Sequence, residues 1–322
     1  MSTTPVVAPG MNRNLAGIIY VVIGILSFSV QDVIIKFLSG DYAIHQIVLI
    51  RSFVSLPVLL VLASWQGGRR AFVGNRLGVL TVRSVLLYVA YTCYYLAIAA
   101  MPIADAMAIA FIAPLIVTAL SKPLLGIQVD TRRWLAIAAG FTGTLVMLRP
   151  GFGVFEPAGL FAIGSASCYA LSSILTRKLA ATESSATMSL HAMVIYVVFS
   201  GLTGILIGDG HLAASTHPSM AFLLRAWSWP SLNDWVLVLT TGCVATVGML
   251  CLAQAYRLGD PPIVAPFEYS GMIWALTSGF IFWHRVPDAI ALIGMSIIVA
   301  AGLYIASLEG LRRPVAEGGG QP

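Results

Sequence analysis

Apolar residues run through this chain in long blocks, separated by short polar stretches. A helix needs about 20 mostly apolar residues to cross the hydrocarbon core of a bilayer. A window of about 19 residues predicts helices near 15–37, 44–63, 77–99, 103–125 and 133–149, then near 158–178, 187–208, 233–256, 263–283 and 286–307. Most connections are very short, as at Ala100-Met101-Pro102 and the turn at His284-Arg285, which makes consecutive helices antiparallel neighbours. The one long connection, 209–232, holds a half-apolar segment of its own, Met220-Ala221-Phe222-Leu223-Leu224. Trp227, Trp229 and Trp235 follow it, as suits rings at the headgroup level.

Composition agrees with the pattern. Hydrophobic residues form 58% of the 322, charged residues 10%, and the mean hydropathy is +0.90. A soluble domain carries roughly a quarter charged residues, so lipid is the solvent here. The expected fold is an all-α membrane protein of ten transmembrane helices. The first apolar run is too long for a signal peptide, and no small-residue cleavage site follows it.

Orientation follows from the 18 basic residues. With the N-terminus inside, the cytoplasmic segments hold Arg13, Arg69, Arg70, Arg76, Arg83, Lys122, Arg132, Arg133, Arg177, Lys178, Arg257, Arg312 and Arg313. The other side holds Lys36, Arg149, Arg225 and Arg285, with Arg51 inside a helix. Positive residues favour the cytoplasmic side, so both termini are expected there, in an inner membrane. The net charge of +5 then reflects topology and anionic lipid, with no nucleic acid needed. Cys93, Cys168, Cys243 and Cys251 fall inside predicted helices without metal spacing, and read as small buried apolar residues. Neither a metal nor a cofactor is expected.

An odd number of spans per half turns the second half upside down. At an offset of about 141 residues Phe28 falls on Tyr169, Lys36 on Arg177 and Leu38 on Leu179. Pro102 likewise resembles Pro261, and Gly143 resembles Gly302. The expected organisation is two inverted five-helix repeats, 1–150 and 151–322, an arrangement in which one midplane site opens to either side by rocking. Pairs such as Gly204 and Gly208 permit tight helix crossings and are too common to indicate a dimer; a monomer is the expectation.

Three segments carry a resemblance. They are Pro266-Phe267-Glu268-Tyr269-Ser270-Gly271-Met272-Ile273-Trp274-Ala275, then Phe282-Trp283-His284-Arg285-Val286-Pro287, then Gly294 to Tyr304. Together they resemble the final helix pair of EamA-type transporters in the drug/metabolite transporter superfamily, and the pattern recurs loosely from Ala113-Pro114-Leu115 to Gly143. The resemblance implies ten helices in two inverted halves and transport of metabolites. Known branches handle amino acids, flavins, nucleotide-like cofactors and cationic drugs, and the aromatic amino acid exporter branch looks nearest. One departure is that family members usually carry Glu in the turn before the last helix, where this chain has His284-Arg285. The equivalent first-half turn has Gln128.

Ionisable residues inside a span cost about 2.5–3.5 kcal/mol on insertion scales and survive where they pair, line water or bind something. Asp32 and Lys36, at i and i+4, read as a pair finishing the first helix. Arg51 sits about seven residues inside the second span. Three readings stay open for it: a salt bridge to Asp32 or Asp105, contact with a substrate carboxylate, or snorkelling. Glu268 follows the Pro-rich entry Asp260-Pro261-Pro262-Ile263-Val264-Ala265-Pro266, where a missing N–H lets the helix start bend. It reads as a carrier of a proton, a partner for an amine, or a buried protonated acid. Tyr88, Tyr91 and Tyr95 share a face of the third helix. With Tyr169, Tyr269 and Trp274 they suggest an aromatic cage for a flat ring or a cation, or else plain packing.

No G-x-x-x-x-G-K-[ST] loop, H-E-x-x-H or G-x-S-x-G occurs, which argues against a pump or an intramembrane enzyme. His45, His191, His211, His217 and His284 form no such pattern. The expected function is a secondary exporter of amino acids, aromatic ones included. Uptake of riboflavin or an adenosyl-type cofactor is the alternative.

Overall fold

The computed structural model describes residues 13–67, 74, 76–125, 130–148, 156–179, 182–213, 216–258 and 265–311. Asp260 to Val264, Gln128, Arg69, Arg70, Arg149, Arg312 and Arg313 lie outside the described residues. Every regular element among those described is helical. The first half holds α1 (Arg13–Leu38), α2 (Ile44–Gly67), α3 (Leu77–Ala100), α4 (Ile103–Ala110), α5 (Ala113–Leu125) and α6 (Thr131–Leu148). The second half holds α7 (Ala158–Leu179), α8 (Ser185–Ile207), the short α9 (Pro218–Leu224) and α10 (Leu232–Leu258). A 3-10 turn (Ala265–Tyr269), α11 (Ser270–Trp283) and α12 (Ala289–Leu311) complete it. Seven stretches among the described residues are long and apolar enough to cross a membrane. With α6, α11 and α12 they fill the ten expected places, and the chain is a multi-pass membrane protein.

Two predicted spans are broken helices. The fourth stops at Ala110, turns through Phe111 and Ile112, and resumes as α5 with Pro114 near its start. Proline has no N–H to continue the ladder of the preceding turn. The ninth begins as the 3-10 turn before α11. The two breaks meet: the rings of Phe111 and Tyr269 lie 4.8 Å apart. The tenth span starts at Ala289 rather than 286, because the Asp288 carboxylate accepts the Ala291 N–H (2.8 Å) as a cap. His284 ends α11 in the left-handed region (φ 49°) and reverses the chain.

The main contacts between halves are α1 with α10, α3 with α7, α2 with α8, and α6 with α12. In span numbers these are 1–8, 3–6, 2–7 and 5–10. Exchanging each span with its counterpart five places on returns the same set, as an internal repeat requires.

Glycine sets the closest crossing. A Cβ on Gly143 of α6 would lie 2.8 Å from the Gly294 carbonyl oxygen of α12 and 3.0 Å from the Ile298 side chain. The first neighbour is backbone, so Gly143→Ala must push the helices apart. We expect it to lower stability by about 1–3 kcal/mol in thermal unfolding in detergent. Gly201→Ala, with nothing within 4 Å of the new Cβ, should leave stability unchanged.

The long connection folds over one end of the bundle. Ser219 donates to the Leu96 carbonyl (2.6 Å) and Phe222 is buried. Trp227, 38% exposed, is tied to the bundle: its Nε1 donates to His45 Nδ1 (2.6 Å), and its ring fills the space that Gly204 leaves. His45, which the sequence shows as isolated, thus has a partner. Trp229, 86% exposed, and Trp235 stay at the surface as a T-shaped pair. Beside them Tyr42 donates to Asp234 (2.7 Å); burial and that carboxylate push its phenol pKa up. All four cysteines are free; Cys243 is exposed and the other three are half-buried rather than fully buried.

Candidate functional site

α1 ends, α2 begins and α3 ends at the same face of the bundle, so their polar residues meet at a common depth. Asp32 lies six residues from the end of α1, Arg51 seven from the start of α2, and Tyr95 five from the end of α3. At ~1.5 Å per residue these are all about 7–11 Å below the helix ends.

The Asp32 carboxyl, 4% exposed, accepts the hydroxyls of Tyr95 (2.6 Å) and Tyr94 (3.0 Å). Tyr95 in turn accepts Gln31 Nε2 (2.6 Å). The Gln31 Oε1 accepts Arg51 Nη1 (3.2 Å). Arg51, 5% exposed, lies with its guanidinium carbon 4.0 Å from the centre of the Tyr91 ring and 5.7 Å from that of Tyr196. A cation desolvated over such rings gains about 2 kcal/mol. Around it Tyr91 and Tyr95 are 4.3 Å apart, and Tyr88 packs edge-on against Tyr196 at 5.6 Å. The Tyr196 hydroxyl donates to the Leu87 carbonyl (3.1 Å), which fixes its ring between α8 and α3.

Asp32 and Lys36 are therefore not a pair closing the first helix. Asp32 turns inward to the tyrosines. Lys36 donates to the carbonyls of Ile98 (2.5 Å) and Met101 (2.7 Å) and lies 5.4 Å from the Trp283 ring, so it ties α1 to the ends of α3 and α11. Of the three readings of Arg51, the salt bridge to Asp32 or Asp105 is not found among the described residues. Among the described residues its side-chain partners are Gln31 and the two rings, and its buried Nε has no acceptor.

The expected aromatic cage is only partly assembled. Arg51, Tyr88, Tyr91 and Tyr95 form one cluster, joined by Gln31, Asp32, Tyr94 and Tyr196, which the sequence does not single out as site residues. Glu268 and Tyr269 lie elsewhere. Glu268 is 15 residues before Trp283, whose ring stacks on Phe37 (4.8 Å) at the end of α1. That puts Glu268 roughly 22 Å from that end by helical rise, in the other half of the membrane from Arg51. Tyr269 points its hydroxyl at Gly302, where a Cβ would lie 1.6 Å away. Trp274 lies at about the depth of Tyr91, and its buried Nε1 has no acceptor among the described residues. Tyr169 is 52% exposed and within the electrostatic reach of Glu268 and Arg83.

Arg83, a cytoplasmic charge by sequence position, is fixed inside the bundle by hydrogen bonds. Its Nε donates to Thr176 (2.6 Å) and its Nη1 to the Met188 carbonyl (3.0 Å). Tyr196 feels both Arg51 and Arg83. Among the described residues no group of His, Cys, Asp or Glu is arranged to hold a metal.

Residues 15–149 match the EamA-like transporter family. Over nearly the whole chain there are similar proteins with named activities. The S-adenosylmethionine uptake transporter of Rickettsia prowazekii is 24% identical over 90% of this chain and 92% of its own. The pseudopaline exporter CntI of Pseudomonas aeruginosa is 28% identical over 89% and 94%. The riboflavin transporter of Vibrio cholerae is 22% identical over 92% and 94%. A crystal structure of a protein with 16% identity shares the fold, with a TM-score of 0.60 over 91% of this chain and 99% of that one. These relatives are transporters and not enzymes. With a match to the EamA-like transporter family over residues 15–149 and named transporters as whole-length relatives, the chain is similar to the EamA-type transporters.

Proposed function

We propose that the chain exports amino acids, aromatic ones foremost, across the cell inner membrane as a monomer. It does so by alternating access between two inverted repeats, 1–150 and 151–322, with both termini cytoplasmic. Arg51 carries this reading. It is a fixed cation, buried over an aromatic face, bonded to a neutral amide and paired with no carboxylate among the described residues. A substrate carboxylate supplies the missing charge, and Tyr88, Tyr91 and Tyr95 hold an apolar or aromatic side chain. Tyr169, Tyr269 and Trp274 line the continuation toward the other side.

Glu268 meets the amine or a proton on that second leg. It lies too far in depth from Arg51 for one small amino acid to touch both at once. Glu268→Gln should flatten the pH dependence of exchange; an unchanged profile would remove Glu268 from the mechanism.

A second reading is uptake of an adenosyl-type cofactor or riboflavin, favoured by the names of two of the relatives. S-adenosylmethionine ends in an amino acid and carries a flat ring, so Arg51 and the tyrosines suit it as well. Proteoliposomes preloaded in turn with phenylalanine, threonine, S-adenosylmethionine and riboflavin separate the two. Exchange with phenylalanine above the others supports amino acid transport. Exchange confined to the cofactors would overturn the substrate while keeping the fold.

A further inference from the structure

On the lipid-facing side of α6 and α12 lies a groove of about 420 Å³ that the transport path does not use. Ala136 and Ala139 on one helix face Ala300 and Ala301 on the other, so the two helices present small side chains to each other along their shared surface. The close crossing at Gly143 holds the helices together at one end of this stretch. At the other end, one residue into α6, the exposed Arg132 lines the mouth together with Tyr304. Its neighbour Arg133, about 100° further round the helix, is buried, so Arg132 is the cation offered to the membrane surface. Trp134, half exposed on the next residue, marks the same level as interfacial.

We propose that this groove is a binding site for an anionic phospholipid, with one acyl chain laid over the alanines and the phosphate on Arg132. The chemistry of the groove fits this occupant. The groove opens to hydrocarbon, it is lined by apolar atoms along its length, and its single charged residue is basic and at headgroup depth. A partner helix would find an arginine at the mouth with no acid in the groove to meet it.

The test is native mass spectrometry of the full-length protein in detergent, titrated with phosphatidylglycerol and, separately, phosphatidylcholine. The expected result is one phosphatidylglycerol retained more firmly than the rest. Arg132→Gln, an exposed change that leaves the bundle alone, should weaken that binding about fivefold, as befits one basic residue at an anionic surface. Ala139→Leu together with Ala300→Leu fills the groove and should abolish preferential retention. Equal retention of both lipids, or no effect of either variant, overturns the site. Dimers of the chain that the filled groove abolishes, with no lipid retained, would assign the groove to a second copy and overturn it too. Because the readout is binding, the proposal stands or falls independently of the substrate transported.

Discussion

Arg51→Gln should lower exchange of a carboxylate-bearing substrate by about thirtyfold or more. Removing one member of a buried charged contact costs about 2–5 kcal/mol, and each 1.4 kcal/mol is tenfold in affinity. The substitution keeps a hydrogen bond donor near Gln31 and with it the network to Tyr95 and Asp32, while the charge is gone. Arg51→Lys should not rescue transport. An ammonium is a point charge on a flexible stem, without the plane that lies 4.0 Å over Tyr91 or the fork that reaches Gln31. The control separates binding from folding. An amine analogue without the carboxylate should compete equally well against wild type and Arg51→Gln. If both ligands lose equally, Arg51 holds the bundle together and does not read the substrate.

Tyr91→Ala should weaken phenylalanine about ten- to thirtyfold and alanine much less, with Tyr91→Phe close to wild type. The ring does two jobs: it lies under the guanidinium, and it packs at 4.3 Å against Tyr95. Aromatic pairs contribute about 0.5–1.5 kcal/mol beyond burial, and a desolvated cation over a ring about 2 kcal/mol. Tyr95→Ala should show the same preference, with added loss of stability because Asp32 loses its 2.6 Å donor. Tyr169→Ala, outside the cluster, should affect both substrates by less than about threefold. Competition measurements in the same vesicles read these ratios directly. Equal loss for phenylalanine and alanine would remove the aromatic subsite.

The helix ends were legible in the sequence because apolar runs stop at charges, prolines and short turns; α2, α3 and α7 begin at the residues the pattern marks. The break at Phe111 and Ile112 was less visible, since Pro114 sits in an apolar run that continues on both sides. Sequence spacing joined Asp32 to Lys36 through a rule for isolated helices. In the bundle each finds a stronger partner on α3, and no spacing along α1 reveals that. Tyr196 is a lone tyrosine in an apolar block, and its place beside Arg51 exists only once α2 and α8 pack together. The i, i+3 and i+4 logic did find Tyr88, Tyr91 and Tyr95, because their shared face belongs to one helix. Adding Tyr169, Tyr269 and Trp274 to that face had no such basis, because residues on other helices carry no information on depth.

The central claim is that the Arg51 cluster serves a carrier that opens to one side at a time. Labelled phenylalanine entering preloaded and empty proteoliposomes tests it most directly. A carrier gives a transient overshoot above equilibrium in the preloaded vesicles, saturates with concentration, and loses both with Arg51→Gln. Entry that rises linearly with concentration and ignores preloading would contradict the account.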